Sequence, residues 1–150
     1  MQRRNFLSTA AVFGTTLTKV SAETKLAPTA PFMIRSGESR FQESTQVGLS
    51  PNNIKVSSKD TNGQLTVFEY IGKERGGPPL HIHPNQDEIF FIVEGEYLFQ
   101  VGKEQYRLKT GDTIFLPRNI PHTWIQTSDK GKLFYILQPA FKMEEFFNTM

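Results

Sequence analysis

Residues 76–95 read GGPPLHIHPNQDEIFFIVEG, a stretch in which two histidines precede a carboxylate at the start of an apolar run. His81 and His83 lie two positions apart, and on a β-strand this spacing places both imidazole rings on the same face. The segment PNQD at positions 84–87 interrupts the strand, and Glu88 begins the next one. Because a turn can return Glu88 toward the histidines, the stretch predicts two imidazoles and one carboxylate that converge on one point.

A second stretch contains the remaining histidine. Residues 111–122 read GDTIFLPRNIPH, so that His122 follows a proline at the start of another β-rich run. A single histidine in a strand is usually a packed or surface residue, but here all three histidines of the chain fall in two short segments. Three imidazoles and one carboxylate form a nitrogen and oxygen donor set that suits Fe, Mn, Co, Ni, Cu or Zn rather than Ca or Mg. Four protein ligands leave room for water, O₂ or substrate, which is typical of a reactive metal site.

Outward from these segments, the chain after Pro31 is a series of short β-rich runs separated by turn signals. Asp60 to Gly63 reads DTNG, and Asn-Gly supplies the positive φ angles of a tight hairpin turn. Many short strands at regular spacing predict an all-β sandwich or barrel of the jelly-roll kind. The predicted strands are Phe32–Ile34, Ile54–Val56, Gln64–Ile71, Glu88–Val93, Glu96–Val101, Glu104–Leu108, Thr113–Leu116, His122–Gln126 and Leu133–Leu137.

One helix is predicted, at the C-terminus. Met143, Phe146, Phe147 and Met150 follow the i, i+3, i+4, i+7 spacing of one apolar stripe, which can close over the barrel. Glu144 and its neighbour Glu145 are expected to face away from the core.

Two segments together resemble the signature segments of the cupin superfamily. The first, residues 81–95, reads His-X-His, four residues, Glu, six residues, Gly. The second, residues 111–122, reads Gly, five residues, Pro, four residues, His. The resemblance covers roughly Phe32 to Phe147 and is closest to small bacterial cupins of the quercetin-dioxygenase-like kind. It implies a double-stranded β-helix, that is, a jelly-roll cupin barrel. By position it also implies one divalent transition metal, with these ligands: His81, His83, Glu88 and His122. Asn119 stands where glycine is usual, and asparagine tolerates the left-handed conformation that such a turn requires.

Strand alternation also predicts the lining of a cavity. Phe90 and Ile92 share the face of Glu88, while Trp124 and Gln126 share the face of His122. An aromatic-rich pocket with one amide suits a flat or apolar organic molecule. The alternative is that these side chains fill a small barrel completely.

The resemblance leaves three functions open, because cupins support many chemistries. The favoured one is a metal-dependent dioxygenase that acts on a flavonol-like or other enolisable aromatic substrate, with O₂ as co-substrate and Glu88 as both ligand and proton acceptor. The second is a non-oxidative cupin enzyme, an isomerase or decarboxylase, in which the metal acts as a Lewis acid. The third is a non-catalytic protein that binds a metal or a small molecule.

The N-terminal residues predict export. Residues 1–22 begin with Arg3-Arg4-Asn5-Phe6-Leu7, resemble a twin-arginine signal peptide and end in small residues before Glu23. An ordinary secretory signal is the alternative. Residues 23–31 are expected to be a linker and residues 32–150 the cupin domain, which places the processed protein in the periplasm or cell envelope without a membrane span.

Charge and composition limit the partners. Without residues 1–22 the 17 basic residues fall to 14 against 15 acidic ones, a net charge of −1. The basic balance therefore belongs to the predicted leader, and no basic stripe suggests nucleic-acid binding. The 150 residues suit one domain. A small-molecule substrate and a homodimer are the expected partners, the latter because cupin barrels commonly pair through their sheets.

Overall fold

The computed structural model describes residues 30–150, which form two antiparallel β-sheets around one core. In chain order the strands are β1 (Ser44–Val47), β2 (Ser50–Val56), β3 (Thr66–Gly72), β4 (Asp87–Glu94), β5 (Glu96–Val101), β6 (Glu104–Lys109), β7 (Thr113–Leu116), β8 (His122–Gln126) and β9 (Gly131–Gln138). One sheet has the order β1-β2-β3-β9-β4-β7 and the other β6-β5-β8. A short helix, α1 (Met143–Asn148), ends the fold. The predicted all-β jelly roll with a C-terminal helix is confirmed. Residues 1–29, with the predicted signal peptide and most of the predicted linker, lie outside the described residues.

The core between the sheets is dominated by aromatic rings. Alternate residues of each strand point inward, as the burial of every second residue of β9 shows. Phe90 stacks on Tyr135 with ring centroids 5.4 Å apart, and it meets Phe99 edge to face at 5.0 Å. Trp124 meets Tyr70 edge to face at 5.0 Å. Such contacts stabilise the core beyond the burial of apolar area.

Residues 76–83 run beside β8, and two of them pair with its backbone. Gly76 pairs with Gln126, and His81 pairs with His122, in each case as an isolated antiparallel bridge. The approach is close: a Cβ atom at Gly77 would lie 1.8 Å from the carbonyl oxygen of Trp124. Only glycine allows this contact, so the GGPP start of the segment brings the first histidine against the start of β8.

The N-terminal part of the described chain differs from prediction. Residues 32–34 form no strand. Instead the Arg40 guanidinium lies over the Phe32 ring, with its Cζ atom 4.0 Å from the ring centroid. Strand β1 and the first half of β2 were not predicted, because SPNN at positions 50–53 is polar and contains a proline. Their pairing is supported by tertiary contacts, including the Thr45 hydroxyl donating to the Asn52 carbonyl at 2.8 Å.

The turn at Asn62-Gly63 is confirmed by φ angles of 54° and 78°. It is not the two-residue hairpin that the Asn-Gly pair suggests, since β2 ends at Val56 and β3 begins at Thr66.

The C-terminal helix is only partly as predicted. Met143 and Phe147 pack against the core, but Phe146 and Met150 are 52% and 71% exposed, because the helix has six residues and ends before a second turn is complete. Glu144 does not face away: its carboxylate accepts hydrogen bonds from the Ser57 hydroxyl and the Ser58 backbone N–H.

Among residues 30–150, no helix has the length and apolar character needed to cross a membrane.

Candidate metal centre

The structure brings the four predicted ligands together at one end of the barrel. His81, His83, Glu88 and His122 each present one donor atom, and these four atoms lie within 4.8 Å of one another. The imidazole centroids are 4.6 to 5.3 Å apart. Oε2 of Glu88 lies 3.2 Å from Nε2 of His122 and 3.7 Å from Nε2 of His83.

Backbone contacts fix the segments that carry the three histidines. The amides and carbonyls of His81 and His122 exchange two hydrogen bonds, of 3.0 and 2.8 Å. The His83 carbonyl accepts the N–H of Asn119 at 3.0 Å, and Asn119 takes a φ of 64°, the left-handed conformation that the sequence predicts there. Beyond the His81 bridge, residues 82–83 are not part of a strand. The rings of His81 and His83 nevertheless lie on the same side, as their two-residue spacing predicts.

Two of the imidazoles are oriented by backbone carbonyls. Nδ1 of His81 lies 2.8 Å from the Pro79 carbonyl oxygen, and Nδ1 of His122 lies 2.9 Å from that of Ile120. A carbonyl oxygen only accepts hydrogen bonds, so the proton of each neutral ring belongs on Nδ1. The lone pair is then on Nε2, which is the arrangement a metal-binding imidazole needs.

The cluster contains buried polar atoms without hydrogen-bond partners outside it. Nε2 of His122 and Oε2 of Glu88 are both buried and lie 3.2 Å apart, and beyond this mutual contact no described residue offers either atom a hydrogen bond. Burial, the largest effect, lowers the pKa of His83 despite the nearby Glu88 carboxylate. Burial also acts to lower the pKa of His122, but the Glu88 carboxylate and the Ile120 carbonyl raise it above its ordinary value.

This donor set fits a metal ion. Unpartnered buried polar atoms are rare in proteins, and a bound cation would satisfy both of these at once. Imidazole nitrogens with one carboxylate suit divalent transition metals. The His/Glu cluster can therefore hold such an ion.

The residues predicted to line a substrate pocket lie along the inner faces of β4 and β8. Phe90 and Trp124 are two residues further into the barrel than Glu88 and His122, with ring centroids 6.1 Å apart. Both are buried, as is Ile92. Gln126 lies further from the cluster: it is four residues along β8 from His122, about 13 Å at the usual strand rise. Its amide donates to the Ser128 carbonyl at 3.0 Å. Whether these four side chains contact a substrate stays a prediction.

Two contacts beside the cluster were not found from the sequence. The buried Gln86 amide donates to the carbonyls of Pro139 and Ala140, at 3.0 and 2.9 Å. Asp87 forms a bidentate ion pair with Arg118, which lowers the pKa of that carboxyl to about 2. Residues 84–87 resemble an ordinary loop, and nothing in their spacing indicates these partners.

Fold and site together define an all-β jelly roll, the fold of solved cupin structures, with a candidate His/Glu metal site. The model of the cupin domain family matches residues 67–137, a range that includes all four residues of the cluster.

Several known proteins and solved structures resemble this chain at low identity. A quercetin 2,3-dioxygenase from Bacillus subtilis is 27% identical over 120 residues, which cover 80% of this chain but only 34% of that protein. The chain thus spans about a third of this relative's length. The structure of KdgF from Halomonas sp. superposes with a TM-score of 0.65 at 17% identity, covering 77% of this chain and 99% of that one. A predicted oxalate decarboxylase from Thermotoga maritima gives a TM-score of 0.57 at 17% identity, covering 61% and 81%.

Proposed function

We propose that this protein is a metal-dependent dioxygenase that acts on a flavonol-like or other enolisable aromatic substrate. The observation that carries the proposal is the convergence of three imidazoles and the Glu88 carboxylate within 4.8 Å. The distant similarity to a protein named quercetin 2,3-dioxygenase supports this choice of reaction.

In this proposal His81, His83, Glu88 and His122 hold one divalent transition metal, from among Fe, Mn, Ni, Co, Cu and Zn. When bound, such an ion supplies Lewis acidity toward a substrate oxygen and positions at which O₂ can approach. The backbone carbonyls of Pro79 and Ile120 keep two rings aimed at the cluster.

Glu88 is the proposed proton acceptor. Its carboxylate is the one anionic group of the cluster, and outside the cluster its Oε2 has no hydrogen-bond partner among the described residues. An enolisable hydroxyl that enters the cluster comes within reach of this oxygen and loses its proton to it. In this proposal a flat molecule would pack against Phe90 and Trp124, the buried aromatic rings two residues further into the barrel.

The second candidate is a non-oxidative cupin enzyme, an isomerase or decarboxylase. It is favoured by one observation: all four donors of the cluster are equally suited to Lewis-acid chemistry that needs no O₂. A protein that only binds a metal or small molecule is the third.

An oxygen electrode separates these functions. Full-length protein is loaded in turn with each of the six metals and offered 3-hydroxyflavone and quercetin. The proposal expects O₂ uptake that matches substrate loss. In Glu88→Gln the amide keeps a carbonyl oxygen but cannot take up a proton, so turnover should fall by roughly 10²–10⁴-fold, as for a lost general base. Product formation without O₂ uptake would instead favour the non-oxidative enzyme.

We also propose export to the periplasm or cell envelope through the twin-arginine route. The support is the Arg3-Arg4-Asn5-Phe6-Leu7 start of the chain. Changing both arginines to lysine should leave precursor in the cytoplasm, as cell fractionation would show. Normal export of that double variant would leave only general secretion.

We further propose that two copies pair through the outer face of the larger sheet. Four apolar residues lie side by side there, in register across four strands: Val67, Ile136, Ile89 and Phe115. The neighbouring row adds Phe134 beside Phe91, which is 44% exposed.

With Val93 this face presents roughly 400 Å² of apolar area, since one phenylalanine contributes about 150–250 Å² when fully exposed. A standard interface buries about 800 Å² per partner, a little over half of it apolar. The row of four contains no charged side chain, so a second copy related by a two-fold axis can lie on the same row without burying a charge.

A further inference from the structure

The segment that follows β9 returns to the loop at residues 81–88, which is called the metal-binding loop below. Gln86, between His83 and Glu88 and only 5% exposed, gives both hydrogen atoms of its amide to the carbonyls of Pro139 and Ala140. The Ala140 N–H in turn donates to the Gly63 carbonyl at 3.1 Å. The chain entering α1 is therefore held between the metal-binding loop and the β2–β3 turn.

Helix α1 is anchored on the same side. The Glu144 carboxylate accepts a hydrogen bond of 2.8 Å from the Ser57 hydroxyl and another from the Ser58 amide. A six-residue helix is too short to be stable alone. Its position is thus set by these tethers and by the apolar side chains on its inner face.

Phe147, like Met143, packs its side chain from α1 against the barrel core. Its ring lies 5.1 Å from that of Phe68 and 6.4 Å from that of Tyr135, centroid to centroid. Tyr135 is two residues from Leu137 on the same face of β9, and Leu137 pairs directly with Glu88. Phe147 therefore packs on the layer of side chains next to the one that contains the Glu88 carboxylate. The adjacent Phe146 points outward and is 52% exposed.

We propose that α1 forms one wall of the substrate space beside the cluster and that Phe147 sets the width of this space. Gln86 is the positioning residue, because its hydrogen bonds hold the chain entering α1 against the metal-binding loop. This inference rests on the proposed function, since it concerns how that function selects its substrate. It narrows the substrate to planar molecules that fit edge-on between the imidazoles and the Phe147 ring.

The test compares two chelating probes on full-length protein loaded with cobalt. Acetohydroxamate is a narrow probe and 3-hydroxyflavone a wide one, and both are titrated against the visible absorption of the cobalt ion. Phe147→Trp should weaken 3-hydroxyflavone about tenfold and leave acetohydroxamate unchanged, while Phe147→Leu should strengthen the wide probe. A tenfold change in Kd corresponds to about 1.4 kcal/mol. Phe146→Trp and Phe146→Leu are the matched controls and should change neither. Thermal unfolding confirms that each variant is folded.

Gln86 is tested by two measurements. Gln86→Ala should speed amide hydrogen exchange across residues 139–148 in metal-free protein. It should also change the ratio of the two probe affinities in the same direction as Phe147→Leu, while the affinity for cobalt stays within about threefold of wild type. Gln86→Asn should restore neither property, because the shorter amide cannot reach both carbonyls. An unchanged probe ratio in all Phe147 and Gln86 variants would overturn the wall while leaving the proposed function intact. Failure of acetohydroxamate to bind the cobalt form at all would reject both.

Discussion

At the scale of single residues, the histidines of the cluster differ in how deeply they are buried and in the contacts that hold their rings. His122 is buried and its Nδ1 is held by the Ile120 carbonyl, whereas His81 and His83 are half-buried at the mouth of the barrel. The aromatic core lies beneath them and contains no part of the cluster. Loss of one imidazole should therefore weaken metal binding without unfolding the barrel.

His81→Ala, His83→Ala and His122→Ala are each expected to lower metal affinity at least tenfold, because even about 1.4 kcal/mol per ligand has that effect. The measurement is metal content after dialysis, with quenching of the single tryptophan by Cu²⁺ as a second readout, since Trp124 lies two residues from His122 on the same face. Leu80→Ala, at an exposed neighbouring position, is the control. Stoichiometric metal in all three histidine variants would eliminate this cluster as the site.

The grouping of His81, His83 and Glu88 could be predicted because the information is local. Two histidines two positions apart must share a side, and the glutamate at the start of β4 needs only one turn to join them. Gln86 could not be predicted, since its partners, Pro139 and Ala140, lie more than 50 residues away and are backbone atoms that carry no sequence signal.

At the scale of elements, alternation of apolar and polar residues correctly predicted most of the strands from β3 to β9. It fails where tertiary contacts replace apolar pairing. Strand β2 contains Asn52 and Asn53, which are almost fully buried: Asn52 accepts from the Tyr135 hydroxyl and Asn53 from the Ser44 hydroxyl. Conversely, residues 32–34 have strand-like composition but no neighbouring strand to pair with, so they remain irregular.

The β2–β3 connection is held by a charge pair that gives stability a defined pH dependence. Arg40 donates to both oxygens of the nearly buried Asp60 carboxylate, which also accepts the Ser57 N–H. The Arg40 hydrogen bonds are the largest effect, and they hold the pKa of Asp60 below its usual value.

A lowered folded-state pKa stabilises the protein above the ordinary aspartate pKa of about 3.9, and this contribution disappears as pH falls through the lowered value. Asp60→Asn should therefore reduce the melting temperature by several degrees at pH 7, and the difference from wild type should shrink below about pH 4. Thermal melts between pH 2 and pH 7 test this. Asp129→Asn is the matched control, because the Arg75–Asp129 pair is exposed on both sides. A pH-independent difference for Asp60→Asn would show that the charge is not the cause.

At the scale of the whole molecule, the two sheets differ on their outer faces. The outer face of β6 in the smaller sheet is mostly exposed and polar or charged. The larger sheet carries exposed phenylalanines toward one edge of its outer face, on β4 and on the edge strand β7. An antiparallel sheet with one face in water normally alternates apolar and polar residues, so apolar residues on both faces indicate that the second face is covered too.

If a second copy covers this face, the full-length chain should elute with twice its monomer mass of 17.1 kDa in size-exclusion chromatography with light scattering. Phe91→Lys with Phe115→Lys places two charges on each partner where the faces meet, and like charges at a desolvated interface repel. This double variant should be monomeric at micromolar concentration and retain its metal, since both side chains point away from the cluster. Ile125→Lys is the control, because Ile125 is 43% exposed but lies on the smaller sheet. A monomeric wild type would show that the apolar rows have no role in self-association. So would a dimer that survives the double substitution but dissociates with Ile125→Lys.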